Sequence, residues 1–492
     1  TSCSDDFLDR KPYGKVTSED LGFGEDILYS ANVFKAYGHM REYSVAAMPF
    51  VAITSIASDD ADKGSTPTDG PDQAQIDNFR FNADNGIISS WYKGNYEGIT
   101  ACNLALNTLD SIQVGDESVE LLKAEARFLR GVYYFNLVRS FGGLSIVDRQ
   151  LEQTEQTPPR SDIDATYAFI QKDFEYAMGI LPPKSVQPIS SMGRATRDAA
   201  KAFLAKTYLY QKNWQQAYNL TKEIIESGEY NLKTPYEDIF REKGENCSES
   251  VFELQCTATE SQPGSNDIGS QFASVQGVRG AGEWNLGWGQ HTATQELADA
   301  FEEGDPRKDE TLLYFIRNGK DDPESIPANK PYGEKPISNA DVIAKYFNKK
   351  AYTDPAMRLK FTKGGYWVNI RLIRYADVVL MASEAACELG DLSSARNYLE
   401  MVRARARGNN IGILPEVTTN NQNELREAIR HERRVELGME FDRFYDLVRW
   451  GIAKEVLHAA GKTGYQDRHA LLPIPQDEID KSNGVLVQNP NY

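Results

Sequence analysis

Several signatures that define common enzyme and membrane-protein classes are missing from this sequence. Five histidines in 492 residues leave little material for metal clusters, and His431-Glu432 is not followed by a second histidine at the metalloprotease spacing. No GxSxG elbow and no P-loop occur. No run of about 18 apolar residues exists, so no membrane-spanning helix is predicted. The sequence therefore predicts no catalytic residue, no cofactor and no metal site.

Basic residues are also in short supply. The chain has 54 Lys and Arg against 72 Asp and Glu, which gives a formal net charge of −18. This balance argues against a nucleic-acid partner, because phosphates require a basic surface. It also disfavours electrostatic adhesion to anionic lipid. Neutral ligands fit this charge best, in a chain whose 40% hydrophobic content is that of an ordinary globular protein.

Cysteines are few, odd in number and without CxxC spacing, so neither a disulfide framework nor a zinc site is indicated. Cys102 and Cys387 stand in helical patterns and are predicted to be small core residues. Cys247 and Cys256 are close enough in sequence to pair across a short loop, which we do not favour. Cys3 precedes a short polar segment, as in a mature bacterial lipoprotein whose cysteine carries acyl chains that hold it to a membrane.

Helix-turn-helix repeats form the predicted scaffold. Residues 196–227 and 374–407 each place small and large apolar residues at the spacings of the tetratricopeptide pattern, a unit of about 34 residues. Residues 119–140 are predicted to pair with 163–181, and residues 425–457 to form the last helical pair. The predicted fold class is all-α, mainly helical, with tetratricopeptide-like helix-turn-helix repeats and long irregular loop insertions.

No linker is convincing enough to split the chain into independent domains. We predict an N-terminal tether, residues 1–20, followed by a single body, residues 21–492. Within the body, residues 21–230 and 369–492 are helical parts. Residues 231–368 form an irregular ligand-binding loop region, because the stretch is rich in Gly, Pro, Asn and Asp. A loop insert of this length in a compact domain is usually functional.

The stretch HERRVELGMEFDRFYDLVRWG, residues 431–451, interleaves charges with large apolar groups at helical spacing. We interpret it as a helical segment whose ion pairs are partly packed inside, since such pairs tolerate burial only when each charge keeps its partners. A structural network is therefore favoured over a catalytic pair of glutamates.

Aromatic residues of the irregular regions are the main candidates for ligand contact. Trp284 and Trp288 lie four apart in GAGEWNLGWG, whose glycines would let a ligand approach closely, and Trp367 also lies in a glycine-flanked stretch. A flat aromatic surface suits the apolar face of a sugar ring, while polar side chains suit its hydroxyls. Tyr332, between a proline and a glycine, is a weaker candidate. The alternative is that these rings only pin a long loop onto the body.

The acidic stretch 58–86 supplies two further candidates, Asp60 and Arg80. Residues 60–64 begin like a calcium loop, but the glycine arrives one place early. We therefore predict a solvated acidic turn there rather than a metal site.

Several segments together resemble the SusD/RagB family of outer-membrane nutrient-binding lipoproteins. The stretch 431–451 resembles the family's C-terminal signature, although Phe441 stands where members often carry a small residue. The tail LLPIPQDEIDKSNGVLVQNPNY resembles its closing PIP…QNP.Y, and the start SCSDDFLD is similar to its mature start. The family spacing W…Y..I..aN is matched by Trp91, Tyr96, Ile99 and Asn103.

This resemblance implies an outer-membrane, cell-surface lipoprotein of Bacteroidota, anchored through a lipid on Cys3. It implies capture of an oligosaccharide without hydrolysis, and delivery to a SusC-like TonB-dependent outer-membrane transporter. Two alternatives stay open. One is a RagB-type lipoprotein that captures peptides, and the other is a repeat scaffold without a small ligand, which burial of all three loop tryptophans would favour.

Overall fold

Helices dominate the architecture, which confirms the predicted fold class. The computed structural model describes residues 25–111, 117–152, 155–280, 284–314, 332 and 343–492. The helices of the first half are α1 (Glu25–His39), α2 (Tyr43–Ala46), α3 (Met48–Val51), α4 (Pro71–Asp77), α5 (Gly86–Asp110), α6 (Glu117–Phe141), α7 (Ile163–Ile180), α8 (Arg197–Tyr210) and α9 (Trp214–Ser227). A π-helical turn, Ala52–Ile56, follows α3.

The second half begins with short elements and ends with longer helices. Its helices are α10 (Tyr236–Ile239), α11 (Phe272–Gln276), α12 (Gln295–Ala300), α13 (Arg307–Thr311), α14 (Pro355–Lys360), α15 (Tyr375–Glu388), α16 (Leu392–Arg407), α17 (Gln422–Glu436), α18 (Arg443–Arg449), α19 (Ala453–Ala459) and α20 (Gln476–Lys481). The strands are β1 (Ala61–Gly64), β2 (Ser250–Leu254), β3 (Gln290–Ala293), β4 (Leu312–Tyr314), β5 (Tyr346–Asn348) and β6 (Ile370–Arg374). Among the described residues they pair antiparallel as β1–β3, β2–β6 and β4–β5.

The two predicted tetratricopeptide-like units are present as α8 with α9 and α15 with α16. Three of these four helices have a side-chain cap at the N-terminus: the Thr196 hydroxyl accepts a hydrogen bond from the Ala199 N–H at the start of α8, and Asn213 and Asp391 cap α9 and α16 in the same way. Helix α9 packs against α15, so the repeat units of the two halves contact each other directly.

Helices α6 and α7 form the predicted third pair, and Gly131 explains how closely they pack. A Cβ atom at Gly131 would lie 2.7 Å from the Phe174 ring, closer than non-bonded carbon atoms approach. The glycine therefore permits a close helix contact and offsets its cost in helix propensity, about 1 kcal/mol. The residues directly before these two, Arg130 and Asp173, form a buried ion pair with an Nε–Oδ2 distance of 2.7 Å.

The helix predicted through residues 431–451 is interrupted, which corrects that prediction. Helix α17 ends at Glu436, and α18 begins at Arg443. Between them Met439 and Phe441 have φ angles of 64° and 75°, which an α-helix cannot contain. Phe441 tolerates this conformation because its ring packs within 4.7 Å of Phe50 between ring centroids, in the core.

The charged stripe of this segment is buried, as predicted. Glu432 and Glu436 are both 0% exposed. Arg307 Nη1 lies 2.5 Å from Glu432 Oε1 and 3.1 Å from Glu436 Oε2, and Arg374 Nη2 lies 3.1 Å from Glu436 Oε1. Burial raises the pKa of Glu436, but the fields of Arg405, Arg374 and Arg307 outweigh it and lower the pKa below its ordinary value. Glutamates enclosed by arginines in this way hold the packed elements of the interior together.

The cysteines with described surroundings are unpaired. Cys102 and Cys387 are buried, which confirms their prediction as core residues, and Cys247 and Cys256 are free thiols. Cys3 lies outside the described residues. Across the described part of the chain, each helix is too short or too polar to cross a bilayer.

Candidate functional site

The segment that carries Trp284 and Trp288 folds back on itself as a tight hairpin. The Leu286 N–H donates to the Val278 carbonyl at 2.8 Å, and the Gly289 N–H donates to the Gly277 carbonyl at 2.9 Å. A Cβ atom at Gly287 would lie 2.2 Å from the Ser274 carbonyl oxygen. The predicted role of these glycines in ligand approach needs correction, because Gly287 and Gly289 are required by the packing of the hairpin itself.

Trp288 is the loop tryptophan that faces solvent. Its side chain is 39% exposed, and its ring lies 6.3 Å from that of Tyr43 between centroids, at an interplanar angle of 45°. Its backbone N–H donates to the Ser274 carbonyl at 2.9 Å, which fixes the backbone that carries the indole. Tyr43 opens α2 and is itself half-buried, with its pKa raised by burial. The two rings form a fixed aromatic surface.

A half-exposed ion pair lies beside the hairpin, next to the backbone of Gly289. The Arg279 Nη1 donates to Asp69 Oδ2 and to the Ser65 hydroxyl, both at 2.6 Å, and the side chains of Arg279 and Asp69 are 39% and 40% exposed. Arg279 packs directly against Gly289, the neighbour of Trp288. The hydrogen bond from the Ser65 hydroxyl lowers the pKa of Asp69, and the hydrogen bond and positive charge of Arg279 lower it further. The carboxylate is therefore ionised at neutral pH. We call Trp288, Tyr43, Arg279 and Asp69 the Trp288 platform.

Trp284 points the other way, into the protein. It is 7% exposed and stacks on Tyr352, with centroids 6.0 Å apart and planes 28° apart. It belongs to a small apolar cluster with Val278, Leu286 and Phe347 that supports the hairpin from below. In this conformation Trp284 stabilises the loop on which Trp288 is displayed.

Trp367 and Tyr332 meet at a residue that the sequence did not single out. The Trp367 Nε1–H donates to Glu242 Oε1 at 2.9 Å, and the Tyr332 hydroxyl donates to Glu242 Oε2 at 2.6 Å. Trp367 is 3% exposed, whereas Tyr332 is half-buried with its pKa raised by burial and by Glu242. The two predicted contacts are thus close to each other, and Tyr332 is the more accessible one.

Asp60 and Arg80 lie in different surroundings. Asp60 is 1% exposed and is ion-paired with Arg434, at 2.8 Å between Oδ1 and Nε. The prediction of a solvated acidic turn at residues 60–64 is therefore wrong, since the segment leads into β1 and its first carboxylate is enclosed. Arg80 is exposed, and its neighbour Phe79 packs against Tyr465 near the C-terminus.

Metal ligation finds no support in the parts of the chain that the structure describes, where no three His, Cys, Asp or Glu side chains converge on one point. Of the platform residues, Tyr43, Arg279 and Asp69 were missed by sequence reasoning. Arg279 stands directly before GAGEWNLGWG and Asp69 lies in the acidic stretch 58–86, so proximity in sequence was a usable signal for both. Tyr43 carried no such signal.

The body is built of helical repeats, and an inserted loop displays the exposed indole of Trp288 beside Tyr43. The profile described as "SusD family" matches residues 248–492, and the profile described as "Starch-binding associating with outer membrane" matches residues 6–209. Together they account for most of the sequence. The chain belongs to the SusD/RagB family.

Relatives of known sequence and structure agree with this assignment. The chain is 26% identical to SusD-like protein P2 of Formosa agariphila, covering 100% of this chain and 97% of the relative. A laminarin-binding SusD-like protein of known structure superposes with a TM-score of 0.77 at 28% identity, covering 95% of this chain and 99% of the other. Surface glycan-binding protein A from Bacteroides fluxus gives a TM-score of 0.74 at 26% identity, with coverages of 94% and 99%.

Proposed function

We propose that this protein binds a neutral oligosaccharide at the Trp288 platform. The observation that carries the proposal is the half-exposed indole of Trp288 beside Tyr43, in a family whose structurally similar members include a laminarin-binding protein. The two rings offer an apolar surface to the C–H face of a sugar. Arg279 and Asp69 offer donors and acceptors for hydroxyl groups, and their mutual pairing leaves the surface without net charge.

Laminarin, a β-glucan, is the first ligand to test, because a similar structure is named for binding it and another was solved with laminarihexaose. We expect dissociation constants of about 1 μM to 1 mM, since a few stacking contacts on an open surface support no more. Of the other candidates, Tyr332 and Arg80 are accessible enough to contribute, whereas Trp284, Trp367 and Asp60 act through the loops that they hold.

The cellular role that we propose follows the family. The protein is a lipoprotein of the outer-membrane surface in Bacteroidota, anchored through Cys3, and it delivers captured glycan to a SusC-like TonB-dependent transporter. It performs no hydrolysis. A pull-down with its transporter, compared between the native chain and Cys3→Ser, tests the anchor separately from the partner.

The alternatives differ in what they require of the loop surface. Burial of all three loop tryptophans would favour a scaffold without ligand, and Trp288 is exposed. An apolar groove with backbone-binding polar groups and no aromatic platform would favour peptide capture, so the titrations below include peptides.

The test is calorimetric titration of the full chain with laminarihexaose, with other neutral hexasaccharides and with peptides, followed by the same titrations on Trp288→Ala. We expect a loss of affinity of at least about tenfold, the equivalent of 1.4 kcal/mol. Phe34→Ala is the matched control, because Phe34 is also an exposed aromatic residue but lies outside the platform. Undiminished binding by Trp288→Ala would refute the site, and binding of peptides alone would refute the ligand class.

A further inference from the structure

A second groove lies along α5, away from the Trp288 platform. Its floor is the face of α5 from Tyr92 to Asn103, one wall is Val147 to Leu151 with Glu155 to Thr157, and the other wall is the C-terminal segment from Glu478 to Leu486. Its volume is about 470 Å³. This is within the range of small-molecule binding sites, roughly 300 to 1,000 Å³. We call it the Tyr96 groove.

The floor of the Tyr96 groove is aromatic and rigid. The rings of Tyr92 and Tyr96 lie 4.8 Å apart between centroids, and Tyr92 is held edge-on against Phe141 at 5.0 Å. The Tyr96 hydroxyl donates to the Ser145 carbonyl at 3.1 Å. These contacts orient both rings before any ligand arrives, so little ordering entropy is lost on binding.

The charges around the groove are already paired with each other. Arg149 and Glu155 form a two-pronged ion pair at 2.8 and 2.6 Å, and Lys481 donates to Glu478 at 2.7 Å. A charged ligand would have to compete with these pairs. The groove therefore suits an uncharged ligand, in a chain whose net charge is −18.

Uncharged hydrogen-bonding groups line the same walls. The side chains of Gln150, Gln156 and Thr157 are exposed and have no hydrogen-bond partner among the described residues. An amide supplies two donors and two acceptor lone pairs, and a hydroxyl supplies one donor and two lone pairs. The Tyr96 ring is the accessible part of the floor, and the 3% exposed Tyr92 ring supports it. The Tyr96 ring with uncharged amides and a hydroxyl on the wall matches the two faces of a neutral sugar.

The groove and the platform lie on different sides of α5. A Cβ atom at Gly94 would contact Ser44, the residue next to Tyr43 of the platform. Tyr92 and Tyr96 are each two residues from Gly94, which at 100° per residue places them on the opposite side of the helix. An α-helix with its side chains is about 10 Å wide. One short ligand on the platform therefore leaves the groove free.

We propose that the Tyr96 groove is a second carbohydrate-binding site, which takes a short stretch of neutral glycan while the Trp288 platform takes another. The proposal rests on the proposed function, since it assumes that the ligand is a glycan. Two sites on one molecule convert the second binding event on a long chain into an intramolecular one. We therefore expect the protein to bind a polysaccharide more tightly than a hexasaccharide. The difference in affinity should exceed what either site alone explains.

The experiment compares laminarin with laminarihexaose, by calorimetry, on the full chain and on three variants. Thr100→Trp fills the groove from an exposed position on α5. Asn107→Trp is its control, because Asn107 is exposed on the same helix two turns further along and does not line the groove. Trp288→Ala isolates the groove from the platform. Thermal unfolding verifies that each variant is folded, and Gln150→Ala with Gln156→Ala replaces Thr100→Trp if that variant unfolds.

We expect two hexasaccharides per native chain and one per Trp288→Ala chain. We also expect Thr100→Trp, but not Asn107→Trp, to reduce the preference for laminarin at least about fivefold. A native stoichiometry of one that Thr100→Trp leaves unchanged would overturn the second site while leaving the platform intact. If the native chain binds none of the neutral glycans, the proposed function fails and this site fails with it.

Discussion

Glu436 and Arg374 form an ion pair in the interior of the protein, with 3.1 Å between Oε1 and Nη2 and with neither side chain more than 1% exposed. Glu436 ends α17, and Arg374 ends β6, so the pair joins the last helical pair to the strand that precedes the second repeat unit. Arg405 of α16 and Arg307 of α13 converge on the same carboxylate. The Glu436 carboxylate therefore joins four elements of the fold.

Glu436→Gln removes the charge that this cluster of arginines requires. We expect it to lower the free energy of unfolding by about 3 to 5 kcal/mol, because it removes a carboxylate charge that the buried guanidinium groups of Arg307, Arg374 and Arg405 share. Glu427→Gln on the same helix is the control, since its 66% exposed side chain pairs with Arg430 at the surface and is worth at most about 1 kcal/mol. Urea unfolding of both variants measures the difference, and equal losses would contradict a structural role for the network.

We expect Trp284→Ala to lower the stability of the protein and Trp288→Ala to weaken glycan binding. Removing the buried Trp284 ring leaves a cavity beneath the hairpin and costs about 3 to 5 kcal/mol. Removing the half-exposed Trp288 ring costs less than about 1.5 kcal/mol but weakens glycan binding. Thermal unfolding monitored by circular dichroism gives the comparison. A larger loss of stability in Trp288→Ala than in Trp284→Ala would reverse our assignment of the two rings.

His291 is expected to make the protein sensitive to acid. Its ring is fully buried, with Nδ1 2.6 Å from Gln276 Oε1, which can only accept, and Nε2 2.6 Å from the Ser55 hydroxyl. Burial, with a smaller effect of Lys462, lowers the pKa of His291 from 6.5 to about 3. Below pH 6.5 the unfolded chain therefore binds a proton that the folded chain excludes.

From pH 6.5 down to about pH 3, this residue lowers the free energy of unfolding by about 1.4 kcal/mol per pH unit. His291→Asn keeps a donor toward Gln276 and tolerates the positive φ of 59° at this position. We expect the variant to have a shallower decline in urea stability between pH 7 and pH 4 than the native chain. Parallel declines would show that His291 is not the group that titrates.

Glu245 is expected to act at the opposite end of the pH range. Burial raises its pKa to about 7, with Arg371 opposing the shift and Glu253 adding to it. Because the folded pKa lies above the unfolded one, the stability linked to this carboxyl is complete below pH 4.5 and is lost as the pH rises through 7. Glu245→Gln should gain about 3 kcal/mol on the native chain between pH 4 and pH 8. A pH-independent difference between the two proteins in urea unfolding would disprove it.

Gly131 is expected to tolerate no side chain while Phe174 faces it. Gly131→Ala gains helix propensity but forces a Cβ atom to 2.7 Å from the Phe174 ring, and overpacking of this kind costs about 1 to 3 kcal/mol. Phe174→Leu makes room, so the double variant should be more stable than the sum of the two single changes predicts. A double-mutant cycle measures the coupling, and simple additivity would show that the backbone, rather than the ring, accommodates the methyl group.

Prediction from sequence succeeded where the signal is local. The apolar spacing in residues 196–227 and 374–407 predicted α8, α9, α15 and α16, because a helix face that must be buried imposes its period on the sequence. The break after Glu436 carried no such signal. The φ angles of Met439 and Phe441 are held by packing against core residues such as Phe50, which lies far away in the chain.

The candidate site shows the same division. Trp288 was named from the sequence as an aromatic residue in an irregular loop, and it is exposed as that prediction requires. Trp284, four residues earlier and equally flanked, is buried against Tyr352. Tyr43 and Arg279 joined the site only because α2 and the hairpin meet beside Trp288.

Periodicity and motif order are properties of neighbouring residues, so the amino-acid sequence alone predicts helical repeats of the SusD/RagB family with an inserted, aromatic-rich loop region. The three-dimensional fold sets which loop aromatics face solvent and which charges are enclosed. Burial depends on the partner that arrives from elsewhere in the chain. Trp284 packs against Tyr352, and Asp60 pairs with Arg434. No local sequence pattern specifies either partner.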